Sequence, residues 1–148
     1  MKILVDADSC PVKEIIITLA KKYHLEVYMF FDTSHIYSND YAKVIIVDKG
    51  IDSVDFKLIG YLTSNDIVVT QDYGVATIAL SKNAFVINQN GFIYDENNID
   101  TLLFERHLSK TQRRLGKKTK PHKKRTPEQN KSFETGLLDL INKHYNPH

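Results

Sequence analysis

Four short apolar runs in this chain end on aspartate: KILVDAD at 2–8, VYMFFD at 27–32, KVIIVD at 43–48 and IVVTQD at 67–72. Carboxylates gathered at one place repel each other unless protons or a cation neutralise them. An all-oxygen cluster favours hard ions such as Mg²⁺ or Mn²⁺. If the runs lie side by side, Asp6, Asp8, Asp48 and Asp72 converge on one rim, and a metal site follows. The substrate of such a site is not written in the pattern.

The elements that would position these groups follow from the apolar spacing. Residues 3–5, 26–31, 44–47, 67–70 and 85–87 read as strands, because buried parallel strands are unbroken apolar runs. Ile15, Ile16, Leu19 and Tyr23 recur at helical spacing after Pro11, with Asp8 or Ser9 as the expected cap. A second helix is expected over 53–62, a short one after Gly74, and a long one over 98–115 that stops at Gly116. Residues 88–91 are turn chemistry. Thr126, Pro127 and Gln129 form a capping-box start for a final helix carrying Phe133, Leu137, Leu138 and Ile141. Strands separated by helices predict a mostly parallel sheet of about five strands, covered on both faces. Ligand sites in such sheets lie beyond the carboxyl ends of the strands. The strand at 26–31 reads as an edge, which would permit a homodimer.

Composition bounds the rest. At 148 residues the chain suits one domain of ordinary size, and 42% hydrophobic residues supply a core. Residues 1–116 are expected to form the α/β domain, with 117–148 a basic linker and a helix packed on it. Cys10 is the single cysteine, so no intrachain disulfide forms, which fits a reducing cytoplasm. The start of the chain is too short and too acidic before Asp6 to read as a signal peptide, and no run approaches the roughly 20 residues of a membrane span. Residues 1–104 hold 8 Lys/Arg against 14 Asp/Glu, a balance of −6; residues 105–148 hold 12 against 4, a balance of +8. The acidic body suits metal and the basic arm suits a polyanion.

Each carboxylate has a plain structural alternative. Asp6 closes a strongly apolar run and is the best ligand candidate. Asp8 either orients water or caps the first helix. Asp52 and Asp55 stand three apart and share a helix face, or else only complement the helix dipole. Asp72, in Thr-x-Asp after a strand, is a ligand or the N-cap of the next helix. In RHLSKTQRRLGKKTKPHKKR (106–125), Arg106, Lys110, Arg113, Arg114, Lys117 and Lys118 are candidates for phosphate contact, against a solvated tail. Tyr37, Tyr41 and Tyr73 are candidates for base stacking. No histidine pair has zinc-ligand spacing, and one cysteine excludes a thiolate zinc site. Cys10 reads as a small buried residue.

DADSCPV, VDKGIDSVDF, NDIVVTQDYGVA and NQNGFIYDENNI, in this order, resemble the YaiI/YqxD family of bacterial proteins over nearly the whole chain. The resemblance implies a PIN-like three-layer α/β/α fold, related to NYN ribonuclease domains, and a family whose biochemical function is not established. In PIN-like nucleases acidic residues at strand ends bind one or two divalent metals. By position Asp6, Asp72 and either Asp55 or Asp52 correspond to them.

Three functions are therefore expected to compete. The first is a divalent-metal-dependent ribonuclease, with Asp6, Asp55 and Asp72 on Mg²⁺ or Mn²⁺ and Asp8 or Asp52 orienting water. The second is a haloacid-dehalogenase-like phosphohydrolase, with Asp6 as nucleophile, Asp8 as acid/base and Thr33 or Ser34 serving the phosphate. The third is a nucleic-acid-binding module without turnover.

Overall fold

β-branched and aromatic residues fill the apolar runs, and the runs pair as strands. The structure is a computed structural model and describes residues 1–32, 37–48, 53–116 and 123–145. Strands β1 (Lys2–Asp6), β2 (Glu26–Asp32), β3 (Lys43–Val47), β4 (Ile67–Val69), β5 (Phe85–Ile87) and β6 (Ile93–Tyr94) form one sheet in the order β3-β2-β1-β4-β5-β6. All pairings are parallel except β5 with β6. The helices are α1 (Lys13–Tyr23), α2 (Val54–Tyr61), α3 (Tyr73–Ser81), α4 (Glu96–Arg114) and α5 (Pro127–His144).

The period-2 alternation of the strands sorts the core into two layers. Ile3, Val5, Val27, Met29, Phe31, Val69 and Ile87 pack with Ile16 and Leu19 of α1 and with Phe133, Leu137 and Ile141 of α5. Leu4, Phe30, Val68 and Val86 pack with Leu58 of α2, Val75 and Ala79 of α3, and Ile99 of α4. The fold is thus the expected three-layer α/β/α architecture with a mostly parallel sheet and a C-terminal helix.

Three local expectations need correction. A sixth strand, β6, follows the turn at 88–91; two residues carry no periodic signal. Helix α1 starts at Lys13 behind Val12, and neither Asp8 nor Ser9 caps it. Ser9 takes φ +60° and the Cys10 amide donates to the Ala7 carbonyl, so the chain turns before the helix begins. Finally, β2 is not an edge: β1 and β3 pair with it on both sides, and β3 and β6 close the sheet. Dimerisation through an exposed β2 is therefore excluded. The helix expected over 53–62 forms as Val54–Tyr61, with Ser53 as its cap accepting from the Phe56 amide. Other signals hold. Thr126 and Gln129 form the reciprocal box with Pro127 in the first turn, and α4 ends before Gly116 at φ +78°.

Asp66, just ahead of β4, fastens the opposite end of the sheet. It is 3% exposed. Its Oδ1 accepts from the Lys2 amide at 3.1 Å, and its Oδ2 accepts from Lys2 Nζ at 2.6 Å and from the Thr63 amide and hydroxyl at 2.8 Å each. Burial pushes its pKa up, but the bonds from Lys2 and Thr63 outweigh burial and hold it below 3.8. A depressed folded-state pKa gives stability that is present above the unfolded value and lost as pH falls through the folded one. Asp66→Ala is expected to cost about 2–3 kcal/mol at pH 7, because four donors lose their acceptor. Thermal melts should show this deficit at pH 7 and a smaller one at pH 3; an equal deficit at both would refute the account.

Candidate active site at the sheet switch point

β1 lies between β2 and β4, and the chain leaves these two central strands toward opposite faces. α1, after β1, covers one layer; α3, after β4, covers the other. Ligands in open α/β sheets bind in the crevice at such a point. The two strongest sequence candidates flank it: Asp6 is the last residue of β1, and Asp72 lies at the exit of β4, where α3 begins.

Asp6 follows the phase of Leu4 and Thr70 that of Val68, so both turn toward the α2–α3 layer. Thr70 is 3% exposed. Its hydroxyl donates to Asp6 Oδ2 at 3.2 Å and accepts from the Asp72 amide at 3.0 Å. One hydroxyl thus ties the two strand ends together. Asp72 caps α3, as the structural alternative required: Oδ1 accepts from the Gly74 amide at 2.7 Å and the Val75 amide at 3.2 Å. Capping fixes the carboxyl at the head of the helix without removing it from the rim. Asp55, in the first turn of α2, shares a side-chain hydrogen bond with Asp72.

The electrostatics follow from this crowding. Burial pushes Asp6 up to about 6, against the lowering bond from Thr70, and the charges of Asp55, Asp72 and Asp8 push it further. Burial, and then the charge of Asp72, raise Asp55 as well. Two carboxyl side chains in hydrogen-bond contact need a proton between them.

The other candidates separate. Asp8 accepts from the Asp32 amide at 3.1 Å through Oδ2, which joins the β1 exit to the end of β2. With Asp6, Cys10, Thr70, Gln71 and Gln89 it lines a cavity of about 50 Å³. Asp48 is exposed at the end of edge strand β3, two strands away from β1. Asp52, Lys117 and Lys118 lie outside the described residues, as do Thr33 and Ser34. Arg106, Lys110, Arg113 and Arg114 are exposed along α4. Arg106 reaches the site: its guanidinium lies 5.9 Å from the centre of the Tyr73 ring. Together with Gln71, Asp72, Glu105 and Ser109 these two line an open groove of about 440 Å³. Tyr41 is structural, its hydroxyl donating to the Ala20 and Leu25 carbonyls, and Tyr37 packs on Phe31. Cys10 is buried, and burial pushes its thiol up. Among the described residues no three His, Cys, Asp or Glu side chains stand close enough to hold a metal ion between them. No described helix is long and apolar enough to cross a membrane.

The sequence reading passed over three polar residues of this end. Gln71 and Gln89 join side chains across the ends of β4 and β5. Arg125 donates to Asn130 Oδ1 and Asn90 Oδ1 at 2.7 Å each and to the Gln89 carbonyl at 2.6 Å. It fastens the β5–β6 turn to the head of α5. Its place next to the Thr126–Pro127 cap was the signal available.

This is a three-layer PIN-like α/β/α protein with a carboxylate-lined crevice at its switch point. Residues 4–143 match the family described as "Uncharacterized BCR, YaiI/YqxD family". Similar proteins include UPF0178 proteins of Ruminiclostridium cellulolyticum, 56% identical over 141 residues, covering 95% of this chain and 92% of the relative. Others are those of Lachnoclostridium phytofermentans, 52% identical with 95% and 97% covered, and Clostridium novyi, 51% identical with 97% and 96% covered. The chain belongs to this family. No solved structure matches it.

Proposed function

We propose that the crevice binds a divalent cation through Asp6, Asp55 and Asp72 and hydrolyses RNA phosphodiesters. The observation that carries this reading is the pairing of Asp6 with Thr70 and of Asp55 with Asp72 beside the switch point, where burial and neighbouring carboxylates raise the pKa of Asp6 and of Asp55. A hard cation is the alternative neutraliser to those protons, and an all-oxygen donor set suits Mg²⁺ or Mn²⁺. The residues fit the ion in donor chemistry; no three described carboxyls stand close enough to hold it as they lie, so Asp6 and the Asp55–Asp72 pair would close on the ion as Asp55 gives up its proton. The bound ion would supply charge stabilisation at the phosphoryl oxygens and a water of lowered pKa. The chain's own residues would do the rest. Thr70 holds Asp6 and the Asp72 backbone in register. Tyr73 and Arg106 offer a ring face and a phosphate-binding fork beside Asp72, and Lys110 and Arg113 extend the basic track.

Asp72→Asn tests the reading cleanly, because asparagine caps a helix as well as aspartate does. The fold should stay while Mn²⁺ affinity and RNA cleavage both fall by at least about 100-fold, the upper range for even an outer-shell change. Calorimetric titration and cleavage of a labelled RNA read the two effects. Wild type that takes up no Mg²⁺ or Mn²⁺ at millimolar concentration would end the proposal. Metal binding without cleavage of RNA, but with burst release from a small phosphate ester, would favour the phosphohydrolase; binding of RNA without turnover of either would favour the binding module.

A further inference from the structure

Helix α4 segregates its charge along its length. Glu96, Asp100 and Glu105 are the charged residues of its first half; Arg106, Lys110, Arg113 and Arg114 are those of its second. One face rests on the body through buried Ile99 and half-buried Leu102, and continues with Arg106 over Tyr73 and Ser109 in the groove beside Asp72. The opposite face carries Phe104 and Leu108, followed by Leu115 at the C-cap; these are 61%, 43% and 71% exposed. Their i, i+4 and i+11 spacing makes them one stripe. A contiguous apolar stripe left in water marks an interaction surface.

We infer that this stripe pairs with the same stripe of a second copy, with the two α4 helices antiparallel. Charge selects both the occupant and the orientation. An antiparallel pair sets the acidic half of each helix against the basic half of the other, whereas a parallel pair sets like against like. The seam spacing agrees. Leu108 and Leu115 stand seven apart and Phe104 four before Leu108, the spacing of the two inward positions of a short heptad seam, with Thr101 and Thr111 at its borders. Asp100, His107 and Arg114 also repeat every seven along one flank. A two-fold axis near His107 puts Asp100 opposite Arg114 of the second copy, twice, with Phe104 packing on the second copy's Leu108. A two-fold interface must be self-complementary in this way. The basic face of Arg106, Lys110 and Arg113 points the other way, so pairing does not rest on the catalytic reading.

Sedimentation equilibrium of the full chain should show a mass rising with concentration from 17.1 kDa toward the dimer. Leu108→Asp, at an exposed position, should stay monomeric with an unchanged circular dichroism spectrum. Asp100→Arg and Arg114→Asp should each weaken the dimer about tenfold, because each places two like-charged pairs across the seam, and the double variant should restore it. Residues 100 and 114 are too far apart in the helix to compensate within one chain. A chain monomeric at every concentration, a dimer indifferent to Leu108→Asp, or a double variant no tighter than the singles would overturn the inference.

Discussion

Asp6→Asn is expected to stabilise the fold at pH 8 while removing metal binding. Asp6 titrates at about 6 in the folded chain against 3.8 for an ordinary aspartate. A raised folded-state pKa means that the folded chain holds its proton more tightly than the unfolded one. The associated stability is present below the unfolded pKa and is lost as pH rises through 6. Above that the ionised carboxyl is a cost, worth about 2 kcal/mol after discounting for the solvent-facing part of the side chain. Asparagine carries no charge and can still accept the Thr70 hydroxyl. The variant should therefore melt roughly 6 °C higher than wild type at pH 8 and show little difference near pH 4. Adding Mn²⁺ should reverse the order, because only the wild type gains binding free energy. Calorimetric melts at the two pH values, with and without metal, check all three statements. A variant that melts lower than wild type at pH 8 would remove the electrostatic account of the crevice.

The strand-end aspartates were legible because β-strand burial and strand direction are both written in apolar runs. Asp6 could be singled out because it closes a strongly apolar run, and Asp72 because it follows one in Thr-x-Asp. Their order across the sheet was not legible. Nothing in VYMFFD says that it lies inside the sheet, because apolarity reports burial and not which neighbour provides it. Asp48 fell away for the same reason: its run resembles the others, but its strand closes the sheet. Asp8 and Asp66 show a different limit. Both lie beside strand ends in turn-prone sequence, and only the fold decides that one accepts from the Asp32 amide and the other from Lys2 and Thr63. Local spacing carries no information about partners 24 and 64 residues away.

Caps were read well where the partners are local. Thr126 with Gln129 satisfies amides within three residues, so its signal is complete in the sequence; Ser53, the first residue of the helix expected over 53–62, is instead its cap. Arg125 was assigned with the basic linker because arginine has no local signature, although it is held by three acceptors on two segments. Glutamines fared likewise. A search for chemistry favours carboxylates, histidines and cysteines, and an amide pair such as Gln71–Gln89 becomes visible only when β4 and β5 stand side by side.

Gly91→Ala is expected to be the most damaging alanine substitution among the described glycines. Gly91 takes φ +87° in the turn between β5 and β6, where a side chain costs about 1–2 kcal/mol. A Cβ there would also lie 2.3 Å from the Ser132 carbonyl oxygen and 2.6 Å from its carbon. Both atoms belong to the backbone of α5, so the clash cannot be relieved by a rotamer, and overpacking of this kind adds about 1–3 kcal/mol. The neighbouring Phe133 and Leu137 are fully buried against the sheet, which holds α5 in place from the other side. The total, about 3 kcal/mol, should lower the melting temperature by roughly 10 °C. Displacing α5 also loosens Arg125 from Gln89 and Asn90, so the effect should reach the crevice: hydrogen exchange at the amides of 88–90 should accelerate more than at β1. Gly60→Ala supplies the control. Gly60 lies inside α2 with nothing within 4 Å of the added Cβ. Alanine there should stabilise by about 0.5–1 kcal/mol through helix propensity. Equal effects at the two glycines would show that α5 yields where its packing against the turn says it cannot.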